Sequence, residues 1–290
     1  MNIVVNLNKN KGITSQDAVT SVRRAFKVRK AGHTGTLDPM ATGVMLVCLN
    51  EATKIASLIE SLDKEYIATA KFGESTDTLD AEGEVTRRSG EFTITADDIQ
   101  RILPGFSGEI QQVPPMYSAL KVSGQPLYKL ARKGIEVERK PRKVTVSIIE
   151  ILGFASPFVT LRIACSKGTY IRSLCSDIGD MLGVGAHMTG LVRTRVGNLK
   201  IEDSAQIGEL PQKASALHTI DTLLGHLPEL SITGEVLKKA RNGNPLPLSL
   251  LPEYNLLSGL AIRLKDDNGK IFGIGKVTKE SIKIERLLFL

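Results

Sequence analysis

The chain has 290 residues, 42% of them hydrophobic and 24% charged, a range that suits a globular protein of one large domain, or a large and a small one, with ample core. Lys and Arg number 38 against 31 Asp and Glu, and the net charge of +7 admits a polyanionic partner without demanding one. No run approaches the roughly 18 apolar residues of a membrane span, the start MNIVVNLNKNKG has no signal or transit pattern, and Cys48, Cys165 and Cys175 form no C-x-x-C; these features predict no zinc site, no disulfide framework and a cytoplasmic protein with reduced thiols.

Residues 2–7 alternate loosely and predict a first strand. Ser15 is the predicted N-cap of a helix in which Ala18, Val19, Val22, Ala25 and Phe26 recur at helical spacing. Arg23, Arg24 and Lys27 fall on its other faces, with Arg29 and Lys30 just beyond. A solvated basic face is the ordinary reading of these five, and a phosphate contact the sharper one. Residues 44–49 predict a buried strand, 52–62 a helix, and the alternating YIATAKF at 66–72 a second strand. Thr95 and Asp98 form a capping-box pattern that starts a helix running through Leu103. Residues 104–143 change character: five prolines break the segment, and Lys129, Arg132, Lys133, Arg139, Lys140, Arg142 and Lys143 make it strongly basic. Such segments inside a compact domain are functional loops or disorder; one short helix is predicted near 127–132. Strands resume at 144–152 and 158–165, and a helix over 169–182 carries Ile171, Leu174, Cys175, Ile178, Met181 and Leu182 on one stripe. Beyond about residue 228 a short helix at 235–241 ends at Asn242-Gly243, Pro245, Pro247 and Pro252 punctuate a loop, and strands at 260–264 and 271–277 join through a turn at 266–269.

The stretch KAGHTGTLDPMATGVMLVCL at 30–49 is the most informative. It sets one carboxylate, Asp38, in a turn crowded with Gly32, Gly35, Thr36, Pro39 and Gly43, directly before an apolar run. Glycines and a proline fix backbone shape there, and a lone carboxylate so held is placed as a catalytic group would be. Asp-Pro in a Gly/Thr-rich segment is also a common turn signal, and on pattern alone that reading weighs at least as much.

The whole string GHTGTLDP at 32–39, then Ala41 and Gly43, resembles motif II of the TruB family of tRNA pseudouridine synthases. Other segments resemble the same family. KNKGITS at 9–15 is similar to its motif I, with Asn10 in place of the usual Pro. Tyr66 falls where its motif III tyrosine lies, and KGTYIR at 167–172 matches motif IIIa. MYSALK at 116–121 matches the start of its RNA-gripping thumb, and Leu191-Val192-Arg193 resembles a late active-site segment. In motif II Met45 stands where Leu is more usual.

The resemblance implies an α+β protein. Residues 1–228 would form the pseudouridine synthase catalytic fold on a mixed, largely antiparallel sheet, with a basic thumb at 116–143, and 229–290 a small β-rich, PUA-like RNA-binding module. It implies isomerisation of uridine 55 in the T-loop of tRNA, with Asp38 as the catalytic carboxylate and neither metal nor cofactor. The target base must leave its stack. Tyr66 would be its aromatic platform, Tyr170 and Leu191 further walls, and His33 a flat side chain filling the gap. Lys9 would complete the substrate site, and Arg132, Lys133, Lys140, Arg142 and Lys143 would hold RNA phosphates. Arg172, a cation in the first turn of its helix, opposes the helix dipole; the family pairs it with the catalytic Asp, which would lower the pKa of Asp38 and keep it ionised. Asp77 and Asp80 read as loop-ordering carboxylates. The implied partner is the tRNA T-arm, bound by a monomer. A guide-RNA-dependent synthase of the dyskerin class shares these motifs, but the short tail and intact thumb favour action without guide RNA. A non-catalytic RNA chaperone would need no acid at position 38, so tRNA folding is at most a second activity.

Overall fold

The computed structural model describes residues 1–122, 124–250 and 258–290, so the expected proline break at Pro252 lies outside the described residues. A ten-stranded sheet dominates. Its main path runs Leu217–Thr219, Ile3–Lys9, Thr42–Leu49, Ala186–Val196, Lys64–Phe72, Phe158–Cys165, Arg142–Ala155, Gly108–Gln112. Every pairing along it is antiparallel except that between Thr42–Leu49 and Ala186–Val196, so the expected mixed, largely antiparallel sheet is present. Thr42–Leu49 is buried on both faces, which is why it reads as a continuous apolar run. Met45, Val47 and Leu49 join the larger core, under the helices Ser15–Ala25 and Ile171–Met181, while Val44, Leu46 and Cys48 face a second cluster.

That second cluster ties the C-terminal sheet to the first. It includes Ile55 and Ile59 together with Ile271, Ile274 and Leu288. The five-stranded C-terminal sheet has the order Glu229–Ser231, Ala261–Lys265, Ile271–Val277, Ser281–Leu287, Leu246–Pro247. An ionic cluster braces the junction: Arg263 and Lys265 reach Asp221 at 2.6 and 3.0 Å. Among the described residues no helix is long and apolar enough to cross a membrane.

Several local expectations need correction. The N-cap of the first helix is Thr14, not Ser15; Thr14 and Asp17 form a capping box. Ser15 is free to turn inward, where its hydroxyl exchanges hydrogen bonds with the backbone of Leu37. The helix expected over 52–62 begins as a 3-10 turn, Asn50–Ile55, before one α turn, Ala56–Glu60. Three-residue spacing puts Ala52 and Ile55 on one buried face, which the tighter helix serves. The central strand Ala186–Val196 was not foreseen. Its buried positions include His187 and Arg193, and register shifts between Met188 and Gly190 and between Arg193 and Arg195 break the two-residue alternation. The capping box at Thr95 and Asp98, the short helix Leu127–Ala131 and the Gly243 helix stop form as expected.

The parallel pairing rests on Gly43. Its φ is +99°, and a β-carbon there would lie 2.2 Å from the Arg193 carbonyl oxygen. Gly43→Ala should therefore cost about 2–5 kcal/mol, combining backbone strain with overpacking. Urea unfolding measures this, and an unchanged midpoint would contradict the close approach.

Candidate active site

The Asp38 turn is clamped from both sides. On one side, Ser15 Oγ both accepts from the Leu37 amide and donates to its carbonyl at 2.9 Å, and the Gly12 amide donates to the Pro39 carbonyl at 2.8 Å. The Lys9 ammonium lies beneath, donating to the carbonyls of Ile13, Asn10 and Pro39 at 2.8, 3.0 and 3.3 Å. On the other side, Arg193 Nη2 donates to the Gly35 carbonyl at 3.2 Å and its Nε to that of Val44 at 2.6 Å. Lys9 is thus fully buried and spent on three carbonyls. Its expected place at the substrate is corrected to a support under the Asp38 turn, and burial draws its pKa down to about 8.

The Asp38 side chain emerges from this clamp about one-third exposed, at 32%, which leaves it reachable. Arg172 meets it with Nε 3.0 Å from Oδ2. The expected pair therefore exists, across 134 residues of chain. The same guanidinium, itself buried, donates to Asp80 at 3.2 Å and to the carbonyls of Thr78 and Tyr117 at 2.9 and 2.8 Å. Asp80 also accepts from Thr78 Oγ1 and the Glu82 amide, and Asp77 from the Glu84 amide, so both order the 77–84 loop as expected.

One expectation about charge is reversed. Arg172 does pull the Asp38 pKa down, but desolvation outweighs it and Asp80 adds repulsion, so the carboxyl sits above its ordinary value. One guanidinium shared by two carboxylates cannot fully neutralise both.

Tyr66 and Leu191 lie on adjacent strands, Tyr66 opposite Arg193 and Leu191 opposite Ala68 in register. Both are largely buried in the cluster that includes Leu37 and Met40 of the catalytic turn. Burial raises the pKa of the Tyr66 hydroxyl, and a hydrogen bond and positive charge from Arg193 oppose that shift. His33 is half-buried and its Nδ1 accepts from the Gly35 amide at 3.3 Å; burial, then Arg193, lowers its pKa and keeps the ring neutral. Tyr170 is pinned through its backbone by Gln112, whose amide both accepts from the Tyr170 N–H at 2.8 Å and donates to its carbonyl at 3.0 Å. The exposed cations Arg132, Lys133, Lys140, Arg142 and Lys143 stand apart from the carboxylate on the 116–143 segment. Arg132 covers the Tyr128 ring and Lys143 pairs with Glu109. The segment joins the site through the Tyr117 carbonyl on Arg172, and the Tyr117 hydroxyl donates to Asp77 at 3.2 Å.

Sequence reasoning missed three contributors: Arg193, Gln112 and the Asp80–Arg172 pair. A buried arginine leaves no local signal beyond its place in the Leu191-Val192-Arg193 string, and Gln112 leaves none. Among the described residues no group of three or more His, Cys, Asp or Glu side chains is placed to hold a metal ion.

Known proteins align with this arrangement. The model of the TruB family pseudouridylate synthase N-terminal domain matches residues 23–171, and that of the tRNA pseudouridylate synthase B C-terminal domain matches 172–226. A tRNA pseudouridine synthase B of Dechloromonas aromatica (strain RCB) is 44% identical over 279 residues, 94% of this chain and 90% of that one. One of Clostridium perfringens (strain 13 / Type A) is 43% identical over 291 residues, 99% of each. Among solved structures, a Cbf5-Nop10-Gar1 complex superposes with TM-score 0.76 at 26% identity, covering 99% of this chain and 85% of that one. An H/ACA RNP bound to a substrate RNA containing 2′-deoxyuridine gives 0.74 at 24%, covering 99% and 85%. Fold and site define a pseudouridine synthase, an RNA-modifying isomerase. Within that class the chain belongs to the TruB family.

The shared guanidinium has a consequence for pH dependence. Arg172→Met removes the larger of the two attractions that oppose burial, the other being Lys9, so the Asp38 pKa should rise further. A reaction that needs the carboxylate then loses most activity at low pH and recovers as pH increases, with the acid limb of its pH–rate profile moved upward. A profile parallel to wild type and merely scaled down would mean that Arg172 acts only by position.

Proposed function

We propose that the protein isomerises uridine 55 in the T-loop of tRNA to pseudouridine, with Asp38 as the catalytic carboxylate. The observation that carries this reading is a reachable carboxylate on a rigid turn, held against a buried guanidinium and flanked by Tyr66 and Leu191. A base inside a stacked loop is out of reach of such a group, so the nucleotide must flip into the cleft. Tyr66 gives it a face to stack on, worth about 1–3 kcal/mol, which offsets much of the unstacking. Tyr170 and Leu191 supply further walls, and His33, neutral and flat, fills the gap the base leaves.

In the reaction the bond from C1′ to N1 breaks, the uracil turns within the cleft, C5 bonds to C1′, and the proton of C5 is lost while N1 gains one. No electron leaves or enters overall. Asp38 serves either as nucleophile at C1′ or as base toward the ribose, giving a glycal-type intermediate; both need it ionised and close, and neither needs a redox group. The exposed cations from Arg132 to Lys143 hold phosphates of the T-arm, and the C-terminal sheet from about residue 229 adds RNA contact. Curated relatives named as tRNA pseudouridine synthase B cover nearly the whole chain at 43–44% identity, which supports action on tRNA without guide RNA over the dyskerin-class alternative.

The test is to incubate unmodified tRNA with the protein and with Asp38→Asn, then map pseudouridine by carbodiimide-blocked primer extension. Wild type is expected to modify the T-loop uridine with no added RNA or cofactor, while the nearly isosteric Asn variant binds tRNA and makes no product. Single-turnover conversion by Asp38→Asn within about tenfold of wild type would sink the assignment, since loss of a group that acts in the chemical step costs more than about 1.4 kcal/mol.

A further inference from the structure

The five cations at and beyond the end of the first helix take no part in the site described above. Arg23, Arg24, Lys27, Arg29 and Lys30 are all exposed, and no carboxylate lies between Asp17 and Asp38 in sequence. Among the described residues none of the five forms an ion pair. Capping does not account for them. The helix ends in a Schellman arrangement, with the Lys27 amide on the Arg24 carbonyl and the Val28 amide on the Arg23 carbonyl, so backbone donors already satisfy the terminal carbonyls. Lys27 occupies the left-handed position of that motif, with φ +51°, where glycine is favoured and a residue with a β-carbon is strained. A strained position that keeps a lysine points to use of its charge rather than its shape.

The patch also has a defined place relative to the cleft. Lys30 leads directly into the short strand Ala31–His33, which pairs with Thr42–Leu49 so that Ala31 faces Leu49 and His33 faces Val47. Three residues of extended chain place Lys30 about 10 Å from His33. Cations at that distance from a cleft that takes a flipped nucleotide lie within reach of the neighbouring backbone phosphates.

We propose that Arg23, Arg24, Lys27, Arg29 and Lys30 form a second phosphate-binding surface, separate from the basic 116–143 segment, that grips the RNA backbone next to the flipped nucleotide. The proposal rests on the functional reading above.

The test uses the full-length protein and an unmodified T-arm stem-loop. Affinity is measured over a salt series for wild type, for a variant with all five residues changed to Gln, and for Lys27→Gly. Each lost phosphate contact should flatten the slope of log affinity against log salt by about 0.7–0.9. The fivefold variant is expected to lose at least about tenfold in affinity near 150 mM salt, and about 2 or more in slope, for three or more contacts. Lys27→Gly separates charge from structure: it relieves strain, so its thermal midpoint should hold or rise while binding weakens. Wild-type slope and affinity in the fivefold variant would overturn the surface, and so would tighter or equal binding by Lys27→Gly. Wild type that binds the stem-loop without isomerising it would overturn the functional reading instead, and the slopes would still report on the patch.

Discussion

One guanidinium holds together parts of the site that lie far apart in the chain. Arg172 binds Asp38 from the catalytic turn, Asp80 and Thr78 from the 77–84 loop, and the Tyr117 carbonyl from the basic segment. All four attachments converge where water has little access, so none is interchangeable with solvent. Removing one partner of a buried ion pair costs about 3–5 kcal/mol because the other charge stays behind. Here two carboxylates would remain, and proton uptake by one of them is the natural relief. Ionisation of Asp38 and placement of the basic 116–143 segment are thus coupled through a single side chain. Any motion that lifts the Tyr117 backbone away must break a bond to the guanidinium that pairs with Asp38.

The turn bearing Asp38 is built to resist such motion. Lys9, Ser15 and Gly12 fix it from the first strand and helix, and Arg193 fixes it from the central strand. These supports meet the one parallel pairing of the main sheet path, which closes on Gly43 without room for a β-carbon. Buried cations thus serve as scaffolding here: Lys9 and Arg193 spend their charge on main-chain carbonyls. The field of Arg193 then reaches two neighbours, lowering the His33 pKa and opposing the rise at Tyr66.

Much of this was legible in the sequence because it is local. The apolar run of Thr42–Leu49, the alternation of Lys64–Phe72, the Thr95 capping box and the glycine-rich turn each depend on neighbours within a few residues. The family motifs named Asp38, Tyr66, Arg172 and Leu191 together; Arg172 meets Asp38 directly, and Tyr66 and Leu191 share a core cluster with Leu37 and Met40 beside it. What stayed hidden depends on distant partners. Ser15 looked like a cap because serine usually is one, yet the hydroxyl is needed 22 residues away at Leu37. Lys9 was placed at the substrate because lysine seldom finds three buried carbonyls. The strand Ala186–Val196 concealed itself with buried His187 and Arg193 and two register shifts. The direction of the Asp38 pKa shift was misjudged because the pair with Arg172 was weighed alone, without burial or the competing Asp80.

That charge balance is the centre of the account and can be measured directly. Carbon-13 NMR of the Asp38 side-chain carboxyl, followed through a pH titration of the folded protein, gives its ionisation midpoint. Burial, with repulsion from Asp80, outweighs the pull of the shared guanidinium and places the midpoint above the ordinary aspartate value of 3.8. A midpoint below that value would mean that Arg172 neutralises Asp38 outright and that Asp80 does not compete for it.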